Sequence, residues 1–106
     1  MPKYLFRSSH TTEGARGLLK EGGTSRRTQA QQAVESVGGK LESFYYAFGS
    51  TDVFIVADLP DNTSAASLAL IVAASGAIDL ETVVLLTPEE IDQATKKGAA
   101  YRAPGA

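Results

Sequence analysis

The 106-residue sequence contains no cysteine and only one histidine. Without cysteine, the chain cannot form disulfides, thiolate nucleophiles or cysteine-ligated zinc and iron–sulfur sites. A single histidine excludes a histidine-rich metal site as well. We therefore assign no metal site to the sequence, and the cofactor stays unknown. The lack of cysteine also fits a reducing compartment, and we expect a cytoplasmic protein.

Strong charge of either sign and long apolar runs are also missing. Ten Lys and Arg against twelve Asp and Glu give a net charge of -2, and no basic run is longer than the Arg26-Arg27 pair. This balance argues against nucleic acid as a partner. No stretch approaches the roughly 18 apolar residues of a membrane span, so no membrane partner is expected. A hydrophobic content of 43% is ordinary for one globular domain.

The periodicity of apolar residues predicts an alternating order of strands and helices. In chain order we expect a strand at 4–9, a helix from 12 that is broken at Gly22-Gly23 and ends at Gly38, strands at 40–48 and 53–57, a helix at 64–75, a strand at 78–86 and a helix at 88–97. We predict one domain over residues 1–97, followed by a flexible tail at 98–106.

This order is the split-βαβ pattern of an α+β, ferredoxin-like βαββαβ fold with an added C-terminal helix. Strict alternation in the second strand would place Leu41, Ser43, Tyr45 and Ala47 on one face and Glu42, Phe44, Tyr46 and Phe48 on the other. Helices cover only one face of such a sheet, yet both faces carry apolar groups here. We therefore expect a homodimer, or a multiple of dimers, that buries the second face. The uncharged helix at 64–75 should also be largely covered by protein.

Four segments resemble the GYD domain family of small bacterial proteins, and the resemblance extends over nearly the whole chain. These segments are residues 1–5, 12–23, 38–49 and 86–90. The resemblance implies a dimeric α/β barrel, but it supplies no established reaction. The family is named after a Gly-Tyr-Asp signature, which corresponds here to residues 49–52, with Thr51 in place of the tyrosine and Asp52 retained. Relatives on the same fold include cofactor-free monooxygenases, isomerases, haem-handling enzymes and small-ligand sensors, so fold alone does not select a function.

Three residues are candidates for catalysis. His10, at the end of the first strand and near Arg7, could act as a general base or haem ligand, although an exposed turn histidine is the commoner case. Asp52 could be a catalytic carboxylate at the rim of a pocket, or it could bond the local backbone and hold the hairpin connection. Arg7 could polarise a substrate.

Four further residues are candidates for ligand binding. Tyr45 and Tyr46 point to opposite faces and could line an aromatic cavity, or they could pack in the core and at a dimer interface. Arg26 and Arg27 follow Gly22-Gly23 at a helix start, where an anion could bind; the alternative is an ordinary helix break with solvated arginines.

These observations leave three functional hypotheses open. The first is a homo-oligomer that binds a small molecule in an apolar cavity. The second is a cofactor-free oxygenase or isomerase that acts on a small aromatic or quinone-like substrate, with His10 as the base. The third is a structural or assembly subunit, for which the uncharged helix at 64–75 would provide a further contact.

Overall fold

The computed structural model describes residues 1–106 and contains four strands and four helices. In chain order they are β1 Lys3–His10, α1 Thr12–Glu21, α2 Gly23–Ser36, β2 Lys40–Tyr46, β3 Val53–Asp58, α3 Asn62–Ala74, β4 Ile78–Leu85 and α4 Pro88–Thr95. The predicted order of elements is confirmed, including the C-terminal helix.

The four strands form one antiparallel sheet in the order β2-β3-β1-β4. β1 lies in the middle and pairs with both β3 and β4. α1, α2 and α3 pack on one side of the sheet, whereas every residue of α4 is exposed. This arrangement is the ferredoxin-like α+β fold that the sequence predicts. None of the helices combines the length and the apolar character needed to cross a membrane.

Side-chain caps fix the starts of three helices. The Oγ1 atom of Thr11 accepts a hydrogen bond from the Gly14 N–H at 3.2 Å. Asp61 accepts one from the Ser64 N–H at 2.8 Å, and this bond lowers the pKa of the Asp61 carboxyl below its ordinary value. Thr87 and Glu90 form a reciprocal capping box at the start of α4. The predicted break between α1 and α2 lies at Gly22, whose φ of 83° favours glycine.

The core lies between the helices and the face of the sheet that they cover. Its buried residues are Tyr4, Phe6, Val34, Ala57, Leu59, Ala65 and Leu68. The Tyr4 hydroxyl, which would otherwise be an unsatisfied buried donor, donates to Asn62 Oδ1 at 2.5 Å. Alternate residues of β1 therefore face the helices, and the residues between them face the opposite side.

Strict alternation is wrong for β2. A bulge between Leu41 and Ser43 places one extra residue in the strand, so that Leu41 pairs with Ala57 and Phe44 pairs with Ile55. Paired residues share a face, and Leu41 therefore lies on the helix side with Phe44 instead of on the side of Tyr45. The strand also ends at Tyr46, two residues earlier than predicted. On α3, Leu70 and Ile71 are exposed in the single chain, so the predicted coverage of this helix is not provided by the chain itself.

Candidate functional site

A cavity of about 270 Å³ lies between the sheet and helices α2 and α3. Its lining comprises Phe6, Ser8, Ile55, Ile78 and Leu80 from the sheet, Arg26, Gln29, Ala30, Ala33 and Val34 from α2, and Leu68 and Val72 from α3. Most of these side chains are apolar, which is typical of a small-molecule site. The cavity thus occupies the helix-covered face of the sheet, within one chain.

The space exists because α2 presents small side chains to the sheet. Ala30 and Ala33 lie at i and i+3 on one helix face and belong to the apolar stripe of the sequence. A methyl group fills little of the distance between a helix and a sheet, so the region beside the two alanines stays open. Phe6, Val34 and Leu68, all buried core residues, close one end of the cavity.

Polar groups gather at the other end of the cavity. Tyr46, Val53, Ser8 and Leu80 are successive partners across β2, β3, β1 and β4, so they form one row on the helix side of the sheet. Ser8 and Leu80 of this row line the cavity. Ser8 is only 5% exposed, and its hydroxyl, which makes no hydrogen bond within the chain, is not among the fully enclosed polar atoms, so it borders the open space of the cavity.

Arg26 stands at the same end. Burial raises the pKa of Tyr46 above its ordinary value of about 10, and the charge of Arg26 opposes this rise. The Tyr46 hydroxyl donates to the Gly23 carbonyl at 3.0 Å at the start of α2. Nη1 of Arg26 donates to Gln29 Oε1 at 2.6 Å, and Glu21 lies 3.7 Å from the same nitrogen. The cavity therefore has an apolar end and a cationic end.

His10 and Asp52 are close together, but neither lines the cavity. The His10 backbone N–H donates to Asp52 Oδ2 at 2.9 Å, and Nδ1 of the imidazole lies 3.7 Å from the same oxygen. The His10 side chain is only 10% exposed. Gly14 permits this packing, because a Cβ there would lie 2.0 Å from the Ala77 carbonyl oxygen and 3.5 Å from the His10 Cβ. The Asp52 carboxylate thus joins the hairpin connection to β1 rather than bonding its own turn.

Arg7 lies on the opposite side of the sheet from the cavity. Its Nη2 donates to Thr51 Oγ1 at 3.4 Å, Glu81 lies 3.7 Å from Nη1, and the buried Nε has no hydrogen-bond partner. A second, mainly polar depression of about 330 Å³ surrounds it, lined by Arg7, Ser9, Ser50, Thr51, Asp79, Leu80 and Glu81. The structure therefore separates Arg7 from His10 and Arg26.

Two of the predicted ligand-binding residues, Tyr45 and Arg27, lie outside the cavity. Tyr45 is 70% exposed on the side of the sheet away from the helices, and Arg27 is exposed on α2. Ser8, Gln29, Ala30 and Ala33 line the cavity but were not predicted as site residues. The sequence could have indicated some of these positions. Ser8 lies on the same face of β1 as Phe6 and His10, and Ala30 and Ala33 lie on the apolar stripe of α2, so all three face the interior.

The side of the sheet away from the helices is here called the open face. Its apolar residues are Leu5, Tyr45, Phe54, Val56, Val83 and Leu85, none of which is fully buried. Lys3 lies at its edge and donates to Glu42 Oε1 and Asp58 Oδ1, both at 2.8 Å. The hydrogen bond to Asp58, followed by that to Glu42, raises the pKa of Lys3 above its ordinary value. The open face therefore combines an apolar patch with charged groups, namely Lys3 at one end and the Arg7–Glu81 pair beside Phe54. A mixture of apolar and charged groups is common at protein interfaces.

The comparisons with known proteins identify a family and nothing more specific. No curated protein and no solved structure is significantly similar to the chain. A family model described as the GYD domain matches residues 4–95. This match includes all four strands and the helices that enclose the cavity. The chain therefore belongs to the GYD domain family.

Proposed function

We propose that this protein binds a small, largely apolar molecule in the cavity between the sheet and helices α2 and α3. The observation that carries the proposal is the cavity itself, a space of about 270 Å³ within a chain that is otherwise able to pack a core. Natural cores contain few voids larger than a water molecule, because an empty space forfeits van der Waals contacts. This space is open to solvent on one side, so it is a cleft that a small molecule can enter and not a sealed void in the core.

The volume limits the size of the occupant. An engineered apolar cavity of about 150 Å³ accommodates benzene, and typical ligand pockets begin at about 300 Å³. A cavity of about 270 Å³ therefore suits a molecule of one or two rings, or an aliphatic chain of similar bulk. The opening between Arg26, Gln29, Val72 and Ile78 lies at the ends of α2 and α3, and none of these residues is fully buried.

The second part of the proposal is that the protein acts as a homodimer or a multiple of dimers. Two copies would pack their open faces against each other, which removes Leu5, Val56 and Val83 from water. A stable interface of standard size buries about 800 Å² on each partner, and one face of a four-stranded sheet provides an area of that order. The exposed Leu70 and Ile71 on α3 offer a further contact for dimers of dimers. The absence of cysteine supports the cytoplasm as the compartment.

Native mass spectrometry and a binding titration test the two parts separately. We expect the protein to be a dimer or a multiple of dimers, and to bind 2-naphthamide, a neutral probe with two rings, by isothermal titration. Ala33→Leu should weaken this binding at least about tenfold, because the larger side chain occupies the cavity. The matched variant Ala66→Leu, at an exposed position of α3, should bind like the wild type.

Two outcomes would contradict the proposal. A protein that does not bind the probe, or an Ala33→Leu variant that binds it as well as the wild type, removes the cavity as the site. A monomer at micromolar concentration removes the packing of the open faces. Oligomers larger than a dimer with no binding in the cavity would favour a structural or assembly role instead.

A cofactor-free oxygenase or isomerase is a second candidate, favoured by the pairing of His10 with Asp52. The carboxylate lies 3.7 Å from Nδ1 of His10, and a histidine beside a carboxylate is a common arrangement for a general base. On β1, His10 is the next residue after Ser8 to face the helix side. Oxygen uptake with 1,4-dihydroxynaphthalene should then exceed autoxidation, and His10→Ala should abolish the excess while the protein stays folded. Equal uptake by both proteins would contradict an enzymatic role for His10.

A further inference from the structure

We infer that the occupant of the cavity is a small apolar monocarboxylate, whose carboxylate is bound by Arg26 and Ser8 at the cationic end. This inference depends on the proposed function, because it names the class of ligand for the same cavity. The apolar body would lie between Ala33 of α2 and Phe6 of the sheet.

The distribution of polar groups along the cavity supports this orientation. Ser8 belongs to the row of Tyr46, Val53 and Leu80, and the Tyr46 hydroxyl donates to the carbonyl of Gly23, about one helical turn before Arg26 on α2. The next row toward the core contains Ile55 and Phe6, which are apolar. A molecule with one polar end and one apolar end therefore matches the cavity in only one direction.

Arg26 retains hydrogen-bonding capacity for a ligand. A guanidinium carries five N–H donors, and within the chain only Nη1 of Arg26 makes a hydrogen bond, to Gln29. Glu21 is 3.7 Å away, which is too long for a hydrogen bond. The fork of a guanidinium matches the two oxygens of a carboxylate, and charge-assisted bonds of this kind are stronger than neutral ones.

Ser8 supplies a second polar group on the cavity wall. Its hydroxyl makes no hydrogen bond to another residue, and it is not fully enclosed, because Arg7 Nε is the only fully enclosed side-chain polar atom without a partner. A hydroxyl in such a position bonds water when the cavity is empty and can donate to a ligand oxygen that displaces this water. A carboxylate oxygen in the cavity would accept the hydrogen bond that Ser8 can donate.

The number of cationic groups distinguishes a carboxylate from a phosphate. Arg26 is the only basic residue of the lining, and Arg27 is exposed on α2 outside the cavity. A phosphate monoester carries close to two negative charges near neutral pH, and such groups are usually bound by several cationic or backbone donors. Glu21, 3.7 Å from Nη1 of Arg26, already offsets part of the guanidinium charge, so this end of the cavity suits one negative charge at most.

Two probes of equal shape test the inference. 2-Naphthoate and 2-naphthamide differ in charge, and isothermal titration gives the dissociation constant of each for the wild type, Arg26→Met, Ser8→Ala and Arg27→Met. We expect the wild type to bind the naphthoate about tenfold more tightly than the amide. Arg26→Met should weaken naphthoate binding at least about tenfold and change amide binding less than about threefold. Ser8→Ala should weaken both probes, and Arg27→Met should change neither.

The outcomes separate this inference from the proposed function. If both probes bind with equal affinity, or if Arg26→Met affects them equally, the carboxylate class is wrong while the cavity remains a binding site. A naphthoate effect in Arg27→Met as large as that in Arg26→Met would mean a general charge effect and would also overturn the inference. If the wild type binds neither probe, the proposed function itself fails.

Discussion

The two faces of one sheet differ in what covers them. On β1, Phe6 points to the helix side and is buried, while its neighbour Leu5 points to the open face and is only half-buried. The helix side carries a core, a cavity and a charged group at the cavity mouth. The open face carries apolar residues beside ion pairs, with no element of the chain above it.

This difference shows how one alternating pattern can specify two kinds of surface. On the helix side, small residues on α2 leave a space that a ligand of limited size could fill. On the open face, an apolar patch around Leu5, Val56 and Val83 lies beside the polar depression around Arg7, and these three residues line neither that depression nor the cavity. An exposed apolar patch of this kind suits a protein partner better than a small molecule. This contrast is the basis for proposing ligand binding on the helix side and self-association through the open face.

The largest expected effect on stability comes from removing a core side chain on the helix side of the sheet. Phe6→Ala should lower the free energy of unfolding by about 3–5 kcal/mol, because it removes a buried aromatic side chain and enlarges the cavity. Leu5→Ala should cost about 1 kcal/mol when the protein is diluted to the monomer, since Leu5 is then half-exposed. Urea denaturation of both variants checks this. If Phe6→Ala and Leu5→Ala lowered the free energy of unfolding equally at high dilution, the two faces would not differ in burial as described.

The next largest effect is expected on self-association, when a charge is placed in the apolar patch of the open face. Leu5→Asp should raise the dissociation constant of the dimer at least about a hundredfold, because each interface would then bury two unpaired carboxylates. Analytical ultracentrifugation gives this constant, and circular dichroism shows whether the variant is folded. Gln32→Asp, on the exposed side of α2, is the matched control and should remain dimeric. A folded Leu5→Asp dimer of unchanged affinity would place self-association elsewhere.

Filling the cavity should produce a smaller effect of opposite sign. Ala33→Leu adds three carbon atoms to a space that has room for them, and it should raise the free energy of unfolding by about 1–2 kcal/mol. Ala66→Leu should change it by less than about 0.5 kcal/mol. Thermal and urea unfolding in the absence of ligand measure both. A destabilised Ala33→Leu variant would mean that the region is already tightly packed.

The smallest effect concerns Tyr46 beside the cavity mouth. Burial raises its folded pKa, so its protonated form contributes stability below the unfolded pKa of about 10, and this contribution is lost as pH rises through the folded pKa. Tyr46→Phe should therefore show a shallower loss of stability above about pH 10 than the wild type. The difference between the two urea-unfolding curves over that range measures it. Parallel curves would show that Tyr46 titrates as it does in the unfolded chain.

Most of the fold could be predicted because each element carries a local signal. Thr87, Pro88 and Glu90 mark the start of α4, and Gly22 marks the break between α1 and α2. The bulge in β2 could not be predicted, because it depends on how that strand pairs with β3 and leaves no required residue type in the sequence. Alternation alone therefore assigned Leu41 to the wrong face.

The candidate site could be predicted only in part. Arg26 was identified from its position after two glycines, but its neighbour Arg27 is exposed and lies outside the cavity. The two residues differ only in their rotation about the helix axis relative to the sheet, which a sequence motif does not specify. Ser8 and Ala33 look like ordinary strand and helix residues until the packing distance between α2 and the sheet is known.

A crystal structure of the protein grown with 2-naphthoate tests the central claim most directly, because it shows the occupant of each face at once. We predict the naphthalene rings beside Ala33, the carboxylate against Arg26 and Ser8, and the open faces of two copies packed together. A probe bound between two open faces, with the cavity beside Ala33 empty, would contradict the assignment of ligand binding to one face and self-association to the other.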